Sequence, residues 1–276
     1  MGNVVTSNIF PPEKEKLKYP KICKIPNKKI YGWKRDIPDY RDIYYKKNLC
    51  NKQFSKIIDL RSKCPDIYNQ GSLGSCTANA LGFLFEFDEI KKNKSKEFRP
   101  SRLFIYYNER KMEDTIDYDA GASIRDGIKS INRIGVCDEK LWEYDIDKFK
   151  EKPPSLCYIQ AKKYKSIKYY KLNQDEYSLK SCLEEGFPFI VGISIYESFE
   201  SKNSTETGII KMPKENEKLL GGHAVAVVGY DDNYGFLVRN SWGSDWGIEG
   251  YCYIPYEYIY NKDLANDLWT IRTISF

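Results

Sequence analysis

Apolar side chains recur on nearly every side of residues 76–92, at Leu81, Phe83, Leu84, Phe85, Phe87 and Ile90. That is the pattern of a helix buried within a domain. A narrower stripe, Ile124, Ile128, Ile131 and Ile134, predicts a second helix over about 123–134. Ser123 with Asp126 three residues later resembles a capping box, and Gly135 supplies the stop. After about residue 160 the apolar period shortens to that of strands. The first, 161–172, mixes Lys with Tyr and Ile and reads as a solvated strand whose lysines discourage edge pairing. Others follow at 189–195, 223–230, 236–241 and 251–254, with no internal repeat. The turn Asp231 to Gly235 joins two of them into an antiparallel hairpin. Helices first and a sheet second is an α+β order, here split into two lobes.

Residues 1–54 differ in character from the rest of the chain. They carry Pro11, Pro12, Pro20, Pro26 and Pro38 and scattered lysines, with no sustained apolar period. They read as an extended arm in front of a domain over 55–276. The aromatic cluster Tyr31, Trp33, Tyr40, Tyr44 and Tyr45 is expected to dock on a surface. A chain of 276 residues holds one large domain or two small ones. With 41% hydrophobic and 15% aromatic residues, it is not disordered throughout. The net charge of +5 is too mild to favour nucleic acid or an anionic membrane as partner. No run approaches the roughly 18 apolar residues of a membrane helix.

Met1 to Phe10 lacks the basic start and apolar block of a secretory signal, so an intracellular or virion setting is expected. Gly2 and Thr6 fit a myristoylation pattern, which would anchor only weakly. The eight cysteines form no Cys-x-x-Cys pair, and the chain has a single histidine. Neither a metal nor a cofactor is expected, and most cysteines should be reduced, buried thiols. Asn93-Lys94-Ser95 and Asn203-Ser204-Thr205 match a glycosylation pattern that carries little weight without a secretory signal.

That single histidine organises the chemistry. His223 follows Gly221-Gly222 on one strand of the hairpin, and Asn240 ends the other, so the two lie at one end of it. An amide oxygen there accepts the imidazole N–H and fixes its tautomer. Cys76 follows the turn-rich run Gln70-Gly71-Ser72-Leu73-Gly74-Ser75 and begins the buried helix. The positive end of a helix dipole and a nearby imidazolium both favour thiolate. The other cysteines read as packed thiols.

The run from Gln70 to Cys76, then Gly222-His223-Ala224, then Asn240-Ser241-Trp242-Gly243 resemble the active-site blocks of papain-like cysteine peptidases. Trp246-Gly247 and Gly250-Tyr251 continue the pattern. The spacing from Cys76 to His223 is close to the family's roughly 130–150 residues. The resemblance implies a helical left lobe, an antiparallel barrel-like right lobe and an active-site cleft between them. It implies Cys76 as nucleophile with a pKa of about 3–4, His223 as acid and base, and Asn240 as orienting residue under the cover of Trp242. The Gln70 amide and the Cys76 N–H would form the oxyanion hole. Gly121 and Ala122 would pair with the backbone of a polypeptide substrate. Ala224 would line the pocket for the second residue before the cut, with Asp267 or Leu268 near its floor.

Two departures stand out: Leu73 replaces a cysteine, removing a common disulfide, and Thr77 replaces a tryptophan. A long helical prosegment is also missing, and Tyr31 to Asp42 is similar to the short leader of a branch met in bacteria and large DNA viruses. A zymogen is expected, with the leader as inhibitor. Endopeptidase action is expected too, because no second histidine exists for an occluding loop. A transglutaminase-like acyltransferase, a deubiquitinase and a non-catalytic scaffold are the rival readings. The first two tend to use Asp as third member, and the last conflicts with four intact reacting positions.

Overall fold

The computed structural model describes residues 30–46, 53–93, 98–164 and 167–273. Gly2, the prolines before Pro38, Cys23, Cys50 and most of Asn93-Lys94-Ser95 lie outside them. The helical lobe is built around α1 (Cys76–Asn93), which packs on α2 (Arg102–Met112) and α3 (Ile124–Ile134). Leu81, Phe83, Leu84, Phe85 and Phe87 are all buried, so α1 is apolar all round because it is covered all round. The Ser123 side chain accepts from the Asp126 N–H, and the Gly135 N–H closes α3 on the Ile131 carbonyl. Gly127 lets α3 lie close to α1, since a Cβ there would come within 2.3 Å of Leu81.

The α2 helix has no readable apolar stripe. Arg102, Glu109 and Arg110 are buried along with Leu103, Phe104 and Ile105. Arg110 lies over the Tyr106 ring at 4.2 Å and donates to the Ile116 carbonyl at 2.7 Å. Charge buried along a helix in this way reads from sequence as a solvent face.

The second lobe is an antiparallel sheet ordered β4 (Ile167–Lys171), β9 (Ala265–Thr273), β5 (Phe189–Tyr196), β6 (Leu219–Asp231), β7 (Gly235–Arg239) and β8 (Tyr251–Ile254). The short β2 (Ile57–Asp59) pairs with β6 off this path. The β6–β7 hairpin pairs Asp231 with Gly235, at the turn the sequence predicts. Two expectations change, and one strand was not expected. Residues 155–161 are a helix, α4 (Ser155–Ala161), and the lysine-rich strand occupies only 167–171. Its edge is covered, because the Lys171 N–H and carbonyl pair with Ile43 and Tyr45 of the arm at 2.9 and 2.8 Å. The strand β9 escapes a period-2 reading because its pairing with β5 shifts register and Asp267 takes a left-handed φ of 56°.

The arm is extended, and its Trp33–Lys34, β1, pairs in parallel with Ala122–Ser123, β3. Tyr31, Trp33 and Tyr45 pack against the core. Tyr40 and Tyr44 do not dock as expected: Tyr40 is 98% exposed and Tyr44 45%.

Candidate active site

The β6–β7 register, which pairs Ala226 with Arg239, carries His223 and Asn240 to one end of the hairpin. His223 Nε2 lies 2.8 Å from Asn240 Oδ1, both buried. Asn240 Oδ1 also accepts from the Ser241 N–H at 2.8 Å, which identifies it as the oxygen and puts the imidazole proton on Nε2. The Trp242 indole stacks on the imidazole at 4.9 Å and 23°. Behind it, Trp246 and Phe199 meet Trp242 edge-on at 5.2 and 5.8 Å and stack on each other at 5.9 Å. This aromatic box keeps water from competing for the His223–Asn240 bond. Phe199 comes from a different strand connection and has no motif to mark it.

Cys76 is the first residue of α1 and fully buried. The backbones of Ala224, Gly32 and Thr77 lie close enough to its sulfur to draw the thiol's pKa down. The first of these is next to His223 in the chain, so the helical lobe delivers the sulfur to the hairpin carrying the imidazole. Burial pushes the thiol up to about 11, and the Glu109 carboxylate adds to the rise, outweighing the backbone N–H groups that pull it down. Burial of the sulfur thus works against the lowering expected from the sequence. Thr77, at the position where the family pattern has a tryptophan, donates to Glu109 Oε1 at 2.6 Å. Burial holds the Glu109 carboxyl well above the usual range.

Gln70 is fixed at both ends of its amide. Nε2 donates to the Leu73 carbonyl at 3.0 Å, and Oε1 accepts from Ser241 Oγ at 2.6 Å. Its backbone N–H donates to the Ser241 carbonyl at 2.9 Å, and the Tyr144 hydroxyl donates to the Gln70 carbonyl at 3.0 Å. The loop before Cys76 is further tied by the Gly74 N–H, which donates to Asp119 at 2.9 Å. Tyr106 also donates to Asp119 and accepts from the Gly121 N–H at 3.1 Å. Asp119 and Ser241 are thus positioning residues that the motif reading passes over, since their partners are remote in sequence.

The arm lies across this arrangement. Tyr31 stands edge-on to His223 and Trp242 at 6.3 and 6.4 Å and donates to Glu200. Gly32 is wedged between two backbones: a Cβ on it would fall 1.7 Å from the Gly74 oxygen. A Cβ on Gly121 would likewise fall 1.9 Å from the Gly32 oxygen. The Ala122 N–H donates to the Gly32 carbonyl at 2.8 Å, so the Gly121–Ala122 segment is paired with the arm. Trp33 lies against Gly192, whose strand partner is Ala224, and reaches Asp267 with its indole N–H at 3.1 Å. Asp267 is buried, and Leu268 beside it is buried as well. Among the described residues no group of His, Cys, Asp and Glu is arranged to hold a metal ion.

The sequence model of the papain family of cysteine proteases matches residues 54–268. A peptidase C1-like protein of Acanthamoeba polyphaga mimivirus is 43% identical over 271 residues, covering 89% of this chain and 87% of that protein. A viral cathepsin of Adoxophyes honmai nucleopolyhedrovirus is 30% identical over 207 residues, 70% of this chain and 54% of that protein. The crystal structure of xylellain, a cysteine protease from Xylella fastidiosa, superposes with a TM-score of 0.81 at 44% identity, covering 89% of this chain and 96% of that one.

Proposed function

The chain belongs to the papain family of cysteine proteases, and from that premise we propose that Cys76 and His223 cleave polypeptides through an acyl-enzyme, as an endopeptidase. We propose also that residues 1–54 are an inhibitory leader to a peptidase domain over 55–276. The Cys76 thiolate attacks the peptide carbonyl, forming the S–C bond and placing negative charge on oxygen. The Cys76 N–H and the Gln70 amide receive that charge. His223 gives its proton to the leaving amine as the C–N bond breaks, then takes one from water as the thioester is hydrolysed. Asn240 holds the ring in the tautomer this needs.

The observation that supports this most is the 2.8 Å His223–Asn240 bond under Trp242, with the backbone of Ala224, next in the chain, beside the Cys76 sulfur. Incubating the full chain with a thiol-reactive peptidyl epoxide and with a peptide library tests it. The epoxide is expected on Cys76, and Cys76→Ala is expected to abolish both labelling and cleavage. Normal cleavage by Cys76→Ala would remove the assignment.

The inhibitory role rests on position. The Gly32 backbone lies beside the sulfur and Ala122 pairs with its carbonyl, where a substrate backbone would have to lie. Gly32→Ala in the full chain would place its Cβ within 1.7 Å of the Gly74 backbone and lift the arm. Labelling of Cys76 is expected to accelerate at least about tenfold, since a clash of this kind costs more than about 1 kcal/mol. An unchanged rate would show that the arm does not inhibit.

A further inference from the structure

Arg102 opens α2 and is buried together with its charge. Its guanidinium lies between the Tyr68 and Tyr144 rings, 4.6 and 4.0 Å from their centres. On one side Glu139 accepts from Nε–H and Nη2–H at 2.9 and 2.8 Å, a two-pronged ion pair. On the other side Nη1–H donates to Asn79 Oδ1 at 3.1 Å. Asn79 is itself buried, on the first turn of α1 that begins with Cys76.

The polarity of the neighbouring hydrogen bonds follows from Arg102. A guanidinium can only donate, so the Asn79 oxygen faces Arg102 and its Nδ2 faces Ser75. Nδ2 donates to the Ser75 carbonyl at 2.9 Å and to Ser75 Oγ at 3.0 Å. The Tyr144 hydroxyl places its single hydrogen on the Gln70 carbonyl, 3.0 Å away. In its short contact with Ser75 Oγ the serine is therefore the donor. Burial holds the Tyr144 phenol above its ordinary range, so that hydrogen stays in place. The direction is the same throughout, from Arg102 through Asn79, Ser75 and Tyr144 to Gln70. Hydrogen bonds aligned in this way polarise one another.

This chain of bonds meets both donors of the oxyanion hole in the proposed peptidase chemistry, on which the inference rests. The Ser75 carbonyl belongs to the same peptide unit as the Cys76 N–H. It accepts from Asn79 twice, from the backbone N–H at 3.0 Å and from Nδ2. A carbonyl loaded in that way makes the N–H of its own unit a stronger donor. Gln70, the other donor, has its backbone carbonyl pinned by Tyr144. We propose that Arg102 is a positioning residue for the oxyanion hole, acting through Asn79, Ser75 and Tyr144. Without Arg102 the Asn79 amide is free to turn over. Its oxygen would then face the Ser75 carbonyl, and the chain of bonds would break beside Cys76.

The test uses the full chain released by Gly32→Ala or by Trp33→Ala, and measures steady-state peptide cleavage and alkylation by iodoacetamide on each variant. Arg102→Met with Glu139→Gln removes the ion pair as a unit and strands no buried charge. It is expected to lower kcat by about tenfold with KM little changed, less than the loss of an oxyanion donor outright. Arg102→Lys, which cannot serve Glu139 and Asn79 together, gives the same comparison where the double variant does not fold. Asn79→Ala and Tyr144→Phe should each act likewise. Alkylation, which forms no oxyanion, should keep its rate in all of them. Combining the Arg102 change with Asn79→Ala is expected to lower kcat by about tenfold in total, since the second change cuts a link already broken. Losses that multiply would overturn the route through Asn79. A kcat that stays at the parent's value, or a fall matched by slower alkylation, would overturn the positioning role. Failure of both released parents to cut any peptide would instead overturn the peptidase reading, and this inference with it.

Discussion

Ser241 does for Gln70 what Asn240 does for His223. Its hydroxyl donates to Gln70 Oε1 at 2.6 Å, which keeps the oxygen of the amide turned away and its N–H groups on the other side. An amide free to flip would present an oxygen to the developing oxyanion for part of the time. Ser241→Ala is therefore expected to lower kcat by about tenfold with KM little changed, and Gln70→Ala by about 10²–10³. Steady-state kinetics on one peptide checks both; a loss confined to KM in either variant would remove the oxyanion role. Cys76, His223, Asn240 and Gln70 are legible in the sequence because short motifs fix each one's neighbours. Ser241 stands inside one of those motifs, but its task depends on a residue that only folding brings near. Asp119 and Phe199 have no motif at all, and Glu109 is hidden inside a helix whose buried charges imitate a surface.

The N-terminus of α1 and burial act on the Cys76 sulfur in opposite senses. A helix N-terminus is worth up to about 2 kcal/mol to an anion, or roughly one and a half pKa units. Burial acts the other way and wins, pushing the thiol up to about 11. Exposing the sulfur to water relieves that burial and is expected to lower its pKa. Alkylation by iodoacetamide is expected to be slow in the full chain until strongly alkaline pH. In Gly32→Ala the same titration should move down by a unit or more; coincident profiles would disconnect the arm from the thiol. The pattern of apolar residues reveals α1, α3 and the hairpin because each has an uninterrupted period. The arm's docking has no such period to reveal it, since it rests on single contacts at Gly32, Trp33 and Asp36, each made to a different element.

Across the molecule, the arm joins the two lobes through a pair of carboxyl groups. Asp36 accepts from the Arg125 N–H at 3.0 Å on the helical lobe and from Trp269 Nε1–H at 2.8 Å on the sheet, while its own N–H donates to Asp267. Burial, with Asp267 beside it, raises the Asp36 carboxyl from 3.8 to about 6 despite those donors and Arg125. A group held above its free value binds its proton more tightly when docked, so its contribution to docking is complete below about 4 and is lost as pH rises through about 6. The arm should then loosen toward neutral pH, and the thiol it covers should fall in pKa over the same interval. Tryptophan fluorescence of the full-length Cys76→Ala chain, which cannot cut itself, is expected to show Trp33 moving into water between about pH 5 and 7. Asp36→Asn keeps an acceptor for Trp269 and Arg125 but has nothing to ionise, so it should flatten the transition and keep the arm docked at neutral pH. A transition of opposite sign, with the arm docking more firmly as pH rises, would mean that the ion pairs of Asp42 with Arg125 and Lys171 govern docking rather than the carboxyl pair.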